Sequence, residues 1–280
     1  MKKLWILCAA ALVLSPAAQA QMKGTSVQLT SQDGWTISAL YQPAESGQKT
    51  VLLLHDAGKD KQAFSAFAQR LTDKGIGCLA PDLRGHGQSV NKGGYAAFAK
   101  EGVDNDYNKM TRDVNAAVEF LKNKGIAEED LVFVGAGMGA NVAAKSASLW
   151  PEVGGLALLT PSANFRDVLS IPALRVYKGN VFIATAADDK KAFLEASILR
   201  NVAFLSAGEG KVVFATAYNK KSHEMLDVWI APELVQWLVT PQKPEIRPDL
   251  PPAEEETDFG SYEPVMPSDT EEALVPSVLE

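Results

Sequence analysis

VFVGAGMGANVA, Val132 to Ala143, is the stretch whose reading decides the fold. Its first residues are an apolar run suited to a buried strand. Glycines then recur at Gly135, Gly137 and Gly139, and from Met138 the pattern is that of a helix. A strand, a tight glycine turn and a helix serve two chemistries. With Ser, Cys or Asp at the centre of G-x-S-x-G the turn presents a nucleophile. As G-x-G-x-x-A it cradles a pyrophosphate. The centre here is Gly137, which has no atom able to attack. The nucleotide reading is weak, because this strand is the fifth of the chain and the next, over 156–159, carries no acid for a ribose.

The flanks alternate in the same way. Residues 27–29 and 35–41 predict an antiparallel hairpin turned at Gln32-Asp33-Gly34. TVLLLHDAG, over 50–58, begins with a run fit for a strand buried on both faces. The spacing then predicts a helix over 62–73, a strand over 78–80 and the loop PDLRGHGQS. Beyond it come a helix over 110–122, a strand over 131–134 and a helix over 138–149. Strands over 156–159 and 181–184, a helix over 191–200, a strand over 212–216 and a helix over 231–238 complete the series. This order predicts one α/β domain, a mostly parallel sheet with an antiparallel N-terminal hairpin and helices on both faces. Little chain lies between Thr160 and Val181, so no large lid is expected.

In such sheets chemistry collects at the carboxyl ends of the strands. The residues there are His55-Asp56-Ala57-Gly58, Asp82 to Ser89, Gly135 to Gly139, Thr160-Pro161-Ser162, Asp188-Asp189 and the region of His223. The set resembles the α/β-hydrolase family, in the manner of serine esterases and dienelactone hydrolases. HDAG is similar to the H-G-x-G oxyanion segment, with Asp56 in place of the first glycine. APDLRGHGQS is close to the family's loop after the fourth strand. GAGMGAN matches G-x-S-x-G-x-N except at the nucleophile. IATAADD looks like the strand that delivers the triad acid, and SHEML like the late histidine turn. The likeness runs over about residues 25–240.

A serine hydroxyl attacks an acyl carbon only if a histidine takes its proton and a carboxylate orients that histidine. The resemblance implies His223 as the base, Asp188 as the acid with Asp189 in reserve, and the backbone N–H groups of Asp56 and Met138 as the oxyanion hole. Gly137 departs from the pattern. It removes the attacking atom and relaxes a turn that strains any other residue. The resulting expectation is a degenerate, catalytically impaired serine hydrolase that binds a small acyl or ester-like ligand, or a protein. Serine at 137 is then expected to restore esterase activity. Two alternatives stand beside it: an active hydrolase using His223 as general base on water or Ser162 as a relocated nucleophile, and an interaction protein acting through its C-terminus.

The ends of the chain differ from its middle. Lys2 and Lys3, the apolar run Leu4 to Ser15 and the small residues of Ala18-Gln19-Ala20 predict a signal peptide over 1–20, cut before Gln21. A periplasmic or secreted protein without a stable membrane anchor follows. Residues 241–280 hold 11 acidic and two basic residues among many prolines, leaving the remainder of a chain of net charge −7 slightly positive. That composition predicts a disordered tail whose partner is open. The net charge argues against nucleic acid. Cys78, the one cysteine beyond residue 20, reads as a small buried hydrophobe. The three histidines are far apart and no Cys pair exists, so neither metal nor cofactor is expected.

Overall fold

The computed structural model describes residues 22–226 and 229–240. The expected signal peptide and acidic tail lie outside them. The described residues form an eight-stranded sheet in the order β1-β2-β4-β3-β5-β6-β9-β10. β1 (Thr25–Thr30) and β2 (Thr36–Gln42) make the antiparallel hairpin, and β2 pairs antiparallel with β4 (Gly77–Pro81). From there β3 (Thr50–Leu54), β5 (Leu131–Ala136), β6 (Gly155–Leu159), β9 (Asn180–Ala186) and β10 (Val212–Ala217) run parallel.

The central strands are apolar without interruption because both faces are covered. Successive side chains point to opposite faces. Leu52, Leu54, Phe133, Leu156, Leu158 and Ile183 therefore enter one core, beneath α2 (Asp106–Asn123), α3 (Met138–Ala147) and α5 (Lys190–Ala207). Val51, Leu53, Val132, Val134, Leu159 and Phe182 enter the other, beneath α1 (Ser65–Thr72) and α6 (Ile230–Val239). Cys78 lies in this second core, fully buried, and burial pushes its thiol up to about 12.

Some boundaries differ from the sequence expectation. α2 begins four residues before 110, where the Asn105 side chain accepts the N–H of Asn108 as a helix cap. α5 runs on through residues 201–207, which hold no breaker before Gly208. The stretch after β6 folds into the two-residue strands β7 (Asn164–Phe165) and β8 (Val168–Leu169) and the short helix α4 (Ile171–Val176), so it is small, as its length requires.

Strand order reverses between β3 and β5, which pair with each other while β4 lies beyond β3. Loops leaving these two strands diverge to opposite faces and open a crevice between them. HDAG leaves β3 there, and GAGMGAN leaves β5.

Candidate active site

β5 ends at Ala136 and α3 begins at Met138, so Gly137 alone makes the turn. Its backbone is left-handed, at φ 53° and ψ −117°. This conformation costs a non-glycine residue about 1–3 kcal/mol. The tightness comes from packing: a Cβ on Gly139 would lie 2.0 Å from the carbonyl oxygen of Leu54, so α3 starts directly against β3. The Met138 N–H, at the first turn of α3, consequently points into the crevice.

Asp56 meets it there. Its Oδ1 accepts the Met138 N–H at 2.8 Å and the Ala57 N–H at 2.7 Å. Two backbone donors converge on one oxygen, the geometry that stabilises a developing oxyanion. The expectation named the N–H of Asp56 beside that of Met138; the donor that joins Met138 on Oδ1 is the N–H of Ala57, and Asp56 brings its side chain. The turn after β3 carries that side chain inward over Gly137. A Cβ built on Gly137 would lie 2.2 Å from the Asp56 carboxyl carbon and from both its oxygens. The two departures from the hydrolase pattern thus occupy one space. The aspartate at 56 fits because residue 137 has no side chain.

The loop under this carboxylate is held from below by His55, which is fully buried. Its Nδ1 donates to the carbonyl of Asp56 at 2.8 Å, and its Nε2 accepts the Leu83 N–H at 2.9 Å. That pairing uses the neutral ring, and burial drives its pKa down to about 4. His86 stacks on Tyr95 at 4.2 Å and tilts against His55. The loop after β4 is anchored by ion pairs. Asp82 is paired with the Lys61 ammonium and accepts the N–H groups of Lys61 and Gln88. Arg84, fully buried, bridges Asp113 and Asp33, each at 2.7 Å.

The relay side is arranged differently. His223 lies in the 3-10 turn Ser222–Leu226. Burial, and then the positive charge of Lys59, lower its pKa, against the pull of Glu224 and Asp56. Its Nδ1 is buried and has no hydrogen-bond partner among the described residues. The two acids expected to orient it are engaged elsewhere. Asp188 is exposed and accepts the Asn219 N–H at 3.0 Å. Asp189 caps α5 through the Ala192 N–H at 3.1 Å and pairs with Lys221 at 2.7 Å. The structure therefore brings Asp56, Gly137 and Met138 together, and does not join Asp188 or Asp189 to His223.

Ser162 is committed to the scaffold. Its N–H and hydroxyl both meet Asn141 Oδ1, at 3.1 and 3.2 Å, while the Asn141 amide donates to the carbonyls of Ser162 and Val168. Asn141, the last residue of GAGMGAN, thereby fixes the loop after β6. Thr160 ties that loop to the histidine turn by accepting the Ser222 N–H at 2.8 Å. Sequence reasoning missed Ala57, Asn141 and Thr160 as contributors, although the motif's terminal asparagine was a signal for the second. Among the described residues no cluster of three or more His, Cys, Asp or Glu side chains is placed to hold a metal.

Comparison with known proteins bears on the family and the fold. The family model described as serine aminopeptidase, S33, matches residues 45–200. An esterase from Exiguobacterium antarcticum superposes with a TM-score of 0.59 at 15% identity, over 77% of this chain and 100% of its own. An esterase from Pyrococcus furiosus gives 0.60 at 18%, over 78% and 92%. The α/β hydrolase GrgF from Penicillium gives 0.58 at 16%, over 76% and 96%. At these identities the structural likeness establishes the fold. No curated protein matches by sequence.

Proposed function

Because the chain belongs to the serine aminopeptidase S33 family of α/β hydrolases, we propose that it is an exported member in which the serine route of acyl transfer is closed. The reading makes it a degenerate serine hydrolase that binds a small ligand or a protein in place of turning over esters. One observation carries it: the Asp56 carboxylate occupies both the oxyanion hole and the space of the missing nucleophile. Acyl transfer needs an attacking atom and a vacant pair of donors. Loss of a single oxyanion donor costs about 10²–10³ in rate, and here both donors are engaged and the nucleophile is absent. A water route through His223 meets the same filled hole and lacks an acid to orient the ring. Export rests on the basic, apolar and small-residue pattern of residues 2–20.

The test is p-nitrophenyl ester hydrolysis. The native protein is expected to be silent. Gly137→Ser alone is expected to stay near silence, because its Cβ meets Asp56. Asp56→Gly combined with Gly137→Ser is expected to gain activity and to react with a fluorophosphonate. A native protein that hydrolyses these esters would sink the proposal.

A further inference from the structure

The small hairpin after β6 holds an arginine where the backbone does not favour one. β7 and β8 pair Asn164 with Leu169 and Phe165 with Val168, so Arg166 and Asp167 alone make the turn. Both are left-handed, at φ 48° and 66°. A two-residue hairpin turn requires such angles at both positions and prefers Asn-Gly for them. Aspartate tolerates the left-handed region, whereas a long side chain such as arginine is strained there. The surroundings enforce it. Asn164 Oδ1 accepts the Asp167 N–H at 2.7 Å, Asp167 Oδ2 accepts the Gly102 N–H at 2.6 Å, and the Asn105 amide donates to the Arg166 carbonyl at 2.8 Å. Strain that neighbours hold in place directs attention to what the strained residue presents.

Arg166 presents a guanidinium fixed in advance. Its carbon lies 4.8 Å from the centre of the Tyr107 ring and 5.6 Å from that of Phe165, and Nη1 donates to the Tyr107 hydroxyl at 2.9 Å. Tyr107 is itself buried and packed edge-on by Phe98 and Phe165. The flexible side chain has therefore lost much of its freedom before any ligand arrives, which lowers the cost of binding one. Arg166 makes no ion pair among the described residues. A cavity of about 590 Å³ opens beside it, within the range of small-molecule sites, and Lys100, Glu101, Gly102, Asn164 and Asp167 complete its lining. The cavity lies on the strand-carboxyl side of the sheet, between the loop after β6 and the loop that leads into α2.

We propose that this cavity binds a small-molecule carboxylate, with Arg166 as the residue that recognises it. The planar guanidinium presents paired N–H groups that match the two oxygens of a carboxylate. Lys100 adds a second positive charge. Glu101 and Asp167 offset these two, so the lining suits the single charge of a carboxylate better than the double charge of a phosphate ester. The inference goes beyond the closed serine route. It uses neither Asp56 nor Gly137.

The experiment titrates the full protein with benzoate, benzamide and phenyl phosphate at low salt and follows the Arg166 Nε–H by nuclear magnetic resonance. Benzoate is expected to move that signal, neutral benzamide to leave it in place, and phenyl phosphate to bind more weakly than benzoate. Arg166→Asn suits the left-handed turn and should weaken benzoate binding by about tenfold or more, the loss of charge-assisted hydrogen bonds. An Arg166 signal that stays still throughout the benzoate titration overturns the proposal and leaves the guanidinium as packing over Tyr107. Equal binding of benzoate and benzamide, or benzoate binding unchanged in Arg166→Asn, overturns it equally. Tighter binding of phenyl phosphate overturns the assignment to carboxylates. Should Arg166→Asn fail to fold, the Arg166 signal of the native protein decides alone. An ester-active native protein defeats the proposed function and leaves this titration to decide by itself.

Discussion

The two sides of the crevice have kept different things. On the hole side, Asp56, Ala57, Gly137 and Met138 are drawn into one tight hydrogen-bonded unit resting on buried His55 and on the Arg84 ion pairs. On the relay side, Asp188, Asp189 and His223 carry the expected residue types, yet the acids bond to Asn219, Ala192 and Lys221 and the imidazole Nδ1 has no partner among the described residues. Residue identity at a strand end is therefore a weaker guide than the partner each polar atom has found. The side with the altered letters has the more determinate geometry.

The largest effect expected from breaking this contrast is on the hole side. Relative to native, Asp56→Gly with Gly137→Ser should raise p-nitrophenyl ester hydrolysis by about 10²-fold, the order of an oxyanion-hole contribution. Either single change should fall well short. Comparison with the two single variants divides the gain between the vacated hole and the new hydroxyl.

The support beneath the hole comes next. Arg84→Met strands the fully buried Asp113 and should cost about 3–5 kcal/mol in urea unfolding. A loss below about 1 kcal/mol, the range of an exposed pair, would show that Arg84 is not the anchor of its loop.

Acid should act on the same side. The folded pKa of His55 lies near 4, below its unfolded value, because the ring is buried neutral. The unfolded chain then binds the proton first as pH falls. Stability is full above about pH 6.5 and is lost as pH drops through about 4, by about 3 kcal/mol for this group. His86 and His223 shift in the same direction. Unfolding midpoints that do not change between pH 7 and 4 would contradict this.

The relay side should yield the smallest changes. Asp189→Ala removes a helix cap and should cost about 1 kcal/mol. Asp188→Asn, at an exposed position, should stay within about 0.5 kcal/mol and leave activity of the reactivated double variant unchanged. A large activity loss in Asp188→Asn would show that the acid reaches His223 after all.

The sheet was legible because burial on both faces demands continuous apolar runs such as TVLLL and LVFVGA, and those runs are local in sequence. The site's position was legible for a related reason, since strand ends follow from strands. The direction of the Asp56 side chain was not. It depends on two strand ends 82 residues apart meeting edge to edge, and HDAG alone reads the same whether the aspartate turns in or out. The partners of Asp188 and Asp189 were hidden likewise, because a cap and a triad acid are the same residue type at the same place. The start of α2 was open to view: Asn105 lies three residues before Asn108, whose N–H its side chain accepts as a helix cap.

The contact between position 56 and position 137 also makes the two positions interdependent. With the aspartate in place, any side chain at 137 collides; with glycine at 137, removing the aspartate leaves two donors facing nothing. What a change at one position costs therefore depends on the residue at the other, and the effects of the two substitutions are expected not to add.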